Sequence, residues 1–357
     1  MTGPVAFVRA EGDPFAIGRQ HGAARASDLR AFLDDGLARL NHVVPGPELI
    51  MAGLSATIAA HAVEIEAATP DLAAEIRGLA EGAGISHEQA LLLQLRREIM
   101  GYRRVPAGGD CTTYAVSGPE PVLAQTIDLN GNLDDQIAVL DVARAGSGRR
   151  ALVLSFAGLL GYLGVNSDGL AVGLNLVLGG RWGPGLPPYL AIRHVLDTAS
   201  DVDGALAVLR GLRLASSRSI TLCDRTSAAV LEIVGDRRRV VRARWTAHTN
   251  HLLHPDLVPL DELNVFARNS SVRRLAACRA GVAALPDSAR VSDHLAVLST
   301  PPVHVPDHGD ITRERTVATV VLLPASGELY VRPGGDPTGA PRSFSLHRMA
   351  SVAGQRS

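Results

Sequence analysis

Cys111 is the side chain in this sequence best placed for covalent chemistry. It follows Gly108-Gly109-Asp110 and opens the run Thr112-Thr113-Tyr114, whose residue types favour a strand. A cut between Asp110 and Cys111 would give the new N-terminal cysteine its own base, because an α-amino group of pKa about 8 can take the thiol proton. Before the cut, the same thiol could attack the carbonyl of Asp110 and form a thioester that water resolves. Gly108 and Gly109 allow the sharp turn such an attack requires. The alternative for a lone cysteine is an inert core residue beside a loop.

A second cluster invites a different chemistry. His248, His251 and His254 recur three residues apart. On a helix that spacing drifts round the axis, and on a strand it alternates faces, so three-way convergence on a metal is poor. No His-Glu-x-x-His and no carboxylate pair accompanies them. Metal-dependent hydrolysis is therefore kept as the alternative, and no cofactor or metal is called for. Neither a Gly-x-Ser-x-Gly elbow nor a Gly-x-Gly-x-x-Gly fingerprint occurs, which removes support for serine hydrolase and dinucleotide-binding readings.

Further motifs follow Cys111 in order. Gln125-Thr126-Ile127-Asp128 comes first, then Asn166-Ser167-Asp168-Gly169-Leu170 with Gly173-Leu174-Asn175, then Thr249-Asn250-His251 and Ser270-Ser271-Val272-Arg273. Gly18-Arg19-Gln20-His21-Gly22 lies near the start. Together with Asp110-Cys111-Thr112-Thr113-Tyr114, these resemble the penicillin (isopenicillin N) acyltransferase family of N-terminal nucleophile hydrolases, related to bile-salt and ceramide amidases. Those amidases usually carry arginine where this chain has Gln125, which puts the chain nearer the acyltransferase branch. Asp110 departs from the glycine that precedes the cysteine in the fungal acyltransferase.

The resemblance implies roles. Asp128 would hold the α-amino group or thiol of Cys111, although an aspartate at a strand end is also a common turn former. Asn250 would be the oxyanion donor. Asn175 would be a second donor or a buried structural amide. Arg273 would pair with Asp128 or a substrate carboxylate, with Arg274 beside it as the competing choice. The implied activity is an autoprocessing amidase or acyltransferase that acts on a small-molecule amide or acyl thioester through an acyl-cysteine, its two fragments staying associated. A non-catalytic binding relative of the fold is the remaining reading.

Composition narrows the field. Every one of the 35 Lys+Arg residues is arginine. That excludes a lysine Schiff base, a P-loop lysine and a Ser-Lys dyad. The formal net charge is −1, which gives no electrostatic case for nucleic acid or an acidic membrane as partner. No apolar run is long enough to span a bilayer. The start of the chain lacks the basic and apolar regions of a signal peptide, so a cytoplasmic location is expected. Three widely spaced cysteines argue against a disulfide framework and a zinc knuckle.

The elements that must position these residues change character at Cys111. Residues 1–100 read as helices. Asp13 precedes Pro14 at one helix start, Thr69 precedes Pro70 at another, and Ser86 with Gln89 forms a capping box. Gly18 and Gly22, four apart, would let a neighbouring element approach closely. An Arg/Pro/Gly linker at 102–109 leads to the cysteine. Beyond it, hairpins at 112–127, 137–156 and 162–177 give way to helix at 189–211. Strands at 219–222, 228–234 and 240–243 follow, then helices at 272–285 and 291–298 and closing strands at 316–323 and 329–332. The expected fold class is α+β: a four-layer αββα sandwich of two antiparallel sheets with a helical N-terminal segment. Residues 1–110 would form the pro-segment and 111–357 the catalytic chain, integrated as one domain.

Overall fold

A computed structural model describes residues 5–101, 111–334 and 336–346. The expected linker and Asp110 lie outside the described residues. The chain begins with a strand, β1 (Ala6–Gly12), followed by α1 (Pro14–Ala24), α2 (Ala26–Asp34), the single turn α3 (Leu40–Val43), α4 (Met51–Ala68), α5 (Pro70–Ala83) and α6 (His87–Met100). Two of the capping features are as read, with Asp13 accepting from Ala16 N and Ser86 and Gln89 capping each other, whereas Thr69 precedes Pro70 without a capping bond and its Oγ1 donates to Ile65 O. Gly18 and Gly22 of α1 lie against the backbone of α5, and Gly78 and Gly82 of α5 lie against the backbone of α1. A Cβ at Gly18 would overlap the Glu75 carbonyl, and one at Gly78 the Phe15 carbonyl.

After Cys111 come β2 (Thr112–Val116), β3 (Val122–Leu129), β4 (Ile137–Arg144), β5 (Arg150–Phe156), β6 (Leu163–Asn166) and β7 (Ala171–Leu176). The helices α7 (Pro188–Thr198) and α8 (Val202–Gly211) lead to β8 (Arg218–Cys223), β9 (Ala228–Val234), β10 (Arg237–Ala243) and β11 (Trp245–His248). Then come α9 (Val265–Ala283), α10 (Val291–Ser299), β12 (Arg315–Leu323), β13 (Glu328–Pro333) and β14 (Arg342–Ser345). They build an 8-stranded sheet in the order β1-β4-β5-β6-β7-β8-β9-β10 and a 6-stranded sheet in the order β11-β2-β3-β12-β13-β14. The sheets face each other through β2 and β3 against β7 and β8. Helices α1, α7 and α8 cover the outer face of the larger sheet, and α9 and α10 cover the smaller one. This is the expected αββα sandwich.

Two expectations are corrected. The larger sheet is not wholly antiparallel, because β1 pairs parallel to β4. The segment before Cys111 is not wholly helical, because it supplies that strand. As an edge strand β1 leaves Phe7, Arg9 and Glu11 exposed and buries only Val8 and Ala10, an apolar alternation too short to stand out. The two sides of Cys111 therefore share one sheet and one core, which runs from Ile17 and Leu79 to Val153 and Leu322. A buried ion network reinforces this: Arg193 on α7 donates to both oxygens of Glu75 on α5, at 2.9 and 2.8 Å, and to Asp197. Among the described residues no helix is long and apolar enough to cross a membrane.

Candidate active site

Strand period places Cys111. In β2, Thr112 and Tyr114 point outward to α9 and α10, where Tyr114 Oη meets His294 Nδ1 at 2.8 Å. Thr113 and Ala115 point inward between the sheets, where Thr113 borders Gly173 of β7. Cys111 has the inward parity. Its Sγ lies 3.9 Å from Tyr162 Oη, at the start of β6 in the other sheet, and 4.0 Å from the Asp128 carbonyl on β3. The site thus sits between the sheets at the ends of β2, β3 and β6. It opens on a cavity of about 30 Å³ walled by Arg97, Asp128, Asn130, Tyr162, Tyr189 and Glu314, among others.

Polar groups converge on the cysteine's own carbonyl. Asn175 Nδ2, on buried β7, donates to Cys111 O across the inter-sheet gap at 3.0 Å. Arg274 Nη1, on α9, donates to the same oxygen at 2.9 Å and to Thr112 Oγ1 at 3.1 Å. Its Nη2 donates to Asn250 Oδ1 at 2.8 Å. Asn250 in turn donates through Nδ2 to Leu176 O at 2.9 Å. Asn175, Asn250 and Arg274 therefore form one buried network around the start of β2. Each amide nitrogen has a second N–H beyond the bond given.

Asp128 is fully buried and held from two directions: Thr316 Oγ1 donates to Oδ1 at 2.6 Å and Thr126 Oγ1 to Oδ2 at 3.3 Å. Thr126 Oγ1 also accepts from Thr112 N at 3.1 Å, which ties the carboxylate to the residue after the cysteine. Burial, together with the Asp128 charge, pushes the Cys111 thiol up to about 12. Tyr162 is raised well above its usual range, first by burial and then by Cys111. At neutral pH the sulfur in this environment is a protonated thiol.

Arg273 is not part of this network. It is exposed, whereas Arg274 is 1 % exposed and in contact with the cysteine. The Ser-x-x-Arg motif therefore shifts by one residue. Ser271, not Ser270, accepts from Asn250 N at 2.8 Å and His251 N at 3.1 Å, and it sits one turn before Arg274. The buried stripe of α9 runs Ser271, Arg274, Leu275, Cys278, Val282, the i, i+3, i+4 pattern of a packed helix face. Extending the apolar residues backward along that stripe selects Arg274, a signal available in the sequence.

Other motif residues are structural. Asn166 Oδ1 accepts from Asp168 N and Leu170 N, and its Nδ2 donates to Leu196 O and Ala199 O, so it closes the turn at Gly169 (φ +91°). Gln125 pairs with both backbone groups of Leu174, at 2.7 and 3.1 Å, and docks β3 onto β7 beside Asn175. The three histidines diverge. His248 binds Glu232 Oε1 at 2.8 Å, His251 Nδ1 meets Ser271 Oγ at 2.7 Å, and His254 Nδ1 accepts from Asp256 N at 3.2 Å. Among the described residues, no cluster of three or more His, Cys, Asp or Glu is arranged to hold a metal. Tyr162, Thr126, Thr316 and Ser271 were not singled out for the site. Thr126 and Ser271 lie inside motifs already read, whereas Tyr162 comes from the facing sheet and Thr316 from the neighbouring strand β12, meetings that no local motif encodes.

All three cysteines are free and buried. Burial raises the thiols of Cys223 and Cys278 as well. What separates Cys111 is its company: Tyr162, Asp128 and a cavity, where Cys278 has an apolar cluster.

The family model for acyl-coenzyme A:6-aminopenicillanic acid acyl-transferase matches residues 116–336. The chain belongs to that family. The match includes Asp128, Asn175, Asn250 and Arg274 and begins just after Cys111. A relative, the 40 kDa form of acyl-coenzyme A:6-aminopenicillanic-acid acyltransferase from Emericella nidulans, is 26% identical over 268 residues, covering 72% of each chain. Penicillin V acylase from Agrobacterium tumefaciens aligns at 15% identity over 67% of this chain and 87% of its own, with a TM-score of 0.45. The N-acylethanolamine-hydrolyzing acid amidase ortholog of Caenorhabditis elegans aligns at 16% identity over 66% of this chain and 100% of its own, with a TM-score of 0.48.

Proposed function

We propose that this chain is an autoprocessing cysteine N-terminal nucleophile enzyme that transfers or hydrolyses acyl groups of a small-molecule amide or acyl thioester. The observation that carries the reading is the clamp on Cys111. Its carbonyl is held by Asn175 and Arg274, both linked to Asn250 or to the facing sheet, while its sulfur is left facing a cavity.

Processing comes first. The Cys111 thiol attacks the carbonyl carbon of Asp110. The C–S bond forms, the C–N bond breaks, and the nitrogen takes the proton to become the α-amine of Cys111. Water hydrolyses the thioester, releasing the Asp110 carboxylate and restoring the thiol. That new amine gives the cut site a base the uncut site lacks, so the single processing attack by a thiol near 12 is slow and later turnover is faster. In turnover the amine accepts the thiol proton, sulfur attacks the substrate carbonyl, and the second N–H of Asn250, with Asn175, stabilises the oxyanion. The leaving amine or thiol departs with a proton. Water or an acceptor amine then releases the acyl group. Asp128, fixed by Thr126 and Thr316, orients the cysteine's amino end. The two fragments stay together through the parallel β1–β4 pair and the Arg193–Glu75 bond.

Intact mass spectrometry of purified protein tests this. Two masses split before Cys111, and a mass increase on the Cys111 fragment after brief exposure to an amide or thioester substrate, are expected. A single full-length chain that still hydrolyses amides would overturn the reading. So would two fragments with no acylation at Cys111, which would leave a binding relative of the fold.

A further inference from the structure

The cavity beside Cys111 continues past Tyr162 and Tyr189 into a second one of about 40 Å³. The two share the walls Arg97, Leu129, Asn130, Tyr162 and Tyr189. Arg96 and Arg97, consecutive on α6, both line the second cavity, and no carboxylate of the described residues does. Arg96 Nε donates to Ala38 O at 2.7 Å and its guanidinium lies over the Phe32 ring at 5.2 Å, but its Nη2 is buried without an acceptor. Arg97 Nη1 reaches only the Met100 sulfur at 3.3 Å, and its Nη2 is likewise buried without an acceptor. Asn130 Nδ2 turns to the same sulfur at 3.9 Å.

A thioether is a weak acceptor. Here it serves two donors while two guanidinium nitrogens have nothing. The nearby carboxylates do not hydrogen-bond the two open nitrogens: Asp128 is committed to Thr126 and Thr316, Glu98 Oε1 to Ser216 at 2.8 Å and Arg218 at 3.5 Å while its Oε2 is itself buried without a partner. Glu314 shares the cavity nearer the thiol with Arg97 but not with Arg96, and with Glu98 it favours the Arg97 charge without bonding its Nη2. Burial lowers both arginines, Arg96 to about 10, yet each keeps its proton at neutral pH. Buried donors of this kind are normally satisfied, and paired guanidinium nitrogens match a carboxylate's two oxygens. The volume suits a carboxylate and a water rather than a whole substrate.

We propose that Arg96 and Arg97 form a carboxylate-recognition subsite, so that the molecule acted on at Cys111 carries a carboxylate beyond Tyr162, either on its acyl part or on its amine part. This rests on the acyl-transfer reading above for its meaning, but binding tests it without catalysis. Calorimetry on the full chain would compare two pairs of probes: N-acetylglycine with N-acetylglycinamide, and 4-carbamoylbutanoate with pentanediamide. The carboxylate member of at least one pair should bind about tenfold or more tightly than its neutral partner, and the pair that discriminates tells which part carries the charge. Arg96→Gln and Arg97→Gln should each remove most of that preference, while Arg97→Lys retains part of it. Should the glutamine variants fail to fold, the Lys variants carry the test through graded loss.

Equal binding within both pairs in the unaltered chain overturns the subsite. Preference that survives in the double Gln variant, or tighter binding of inorganic phosphate than of either carboxylate, does so too. Acylation at Cys111 with no carboxylate preference removes the subsite alone. Carboxylate preference in a chain that is never cut or acylated removes the nucleophile reading alone.

Discussion

Two arginine-bearing walls meet at Cys111, and they are finished to different degrees. On the α9 side, Arg274 spends its guanidinium on Cys111 O, Thr112 Oγ1 and Asn250 Oδ1, all supplied by the chain itself. On the α6 side, Arg96 and Arg97 each hold a buried nitrogen with no acceptor. His21, buried on α1, shows what happens to a buried cation that can let go. Both its ring nitrogens also lack partners, but burial, with Arg25 and Arg193 nearby, lowers its pKa to about 3, so it is neutral and needs no counter-charge. A guanidinium cannot take that route. In the reading proposed above, the saturated wall is complete in the folded chain, and the open wall is completed by what binds.

Replacing the residue both walls serve should have the largest effect. Cys111→Ala is expected to remain a single chain and to lose acyl transfer by on the order of 10⁴-fold or more, read by intact mass and by product release. Next is the saturated wall itself. Arg274→Gln strips donors from Cys111 O and Asn250 Oδ1, so cutting and turnover should slow by about 10²–10³-fold, with stability in urea lower by about 2 kcal/mol. Arg273→Gln, one residue away and exposed, should change stability by less than about 0.5 kcal/mol. Equal effects at the two positions would break the distinction drawn here.

The scaffold behind the open wall should affect stability and leave the chemistry at Cys111 in place. Gly78→Ala puts a methyl group into the Phe15 carbonyl and should cost about 2–3 kcal/mol, whereas Gly53→Ala on α4, with only Ile50 Cγ1 at 4.0 Å, should be neutral or stabilising. His21 sharpens the contrast through pH. Its folded pKa, about 3, lies below the unfolded value of 6.5, so the unfolded chain binds the extra proton. The stability it contributes is present above pH 6.5 and is lost as pH falls toward 3, by at most about 1.4 kcal/mol per unit. His21→Leu should flatten that acid limb in urea titrations at successive pH values. An unchanged slope would mean that His21 is not the neutral buried group described.

Much of the fold was legible because local signals agreed with the tertiary result. Asp13, Thr69-Pro70 and the Ser86/Gln89 box start helices where expected, and the alternating runs after Cys111 become strands. Gly18 and Gly22 foretold a close helix contact, since glycine in a helix interior has a cost that only packing offsets. What escaped was set by position in the sheet. β1 buries only two side chains because it is an edge, and β11, the edge of the other sheet, is only four residues long.

The site divides along the same line. Cys111, Asp128, Asn175 and Asn250 could be named because their ordered motifs resemble those of a known family, and for Asn175 also because a polar side chain inside an apolar strand must have a partner. Between Arg273 and Arg274 the motif fits either register, and burial of one helix face decided for Arg274. Tyr162 reaches the site only because two sheets face each other, and Thr316 only because β12 pairs with β3 across a long stretch of chain, and no spacing along the chain records either meeting. Chemical identity is a property of the residue, so the sequence, with the resemblance its motifs carry, determined the candidate nucleophile and the candidate amide donors. Which donors are already satisfied and which are left open depends on distances between elements far apart in the chain, and only the tertiary structure decided that.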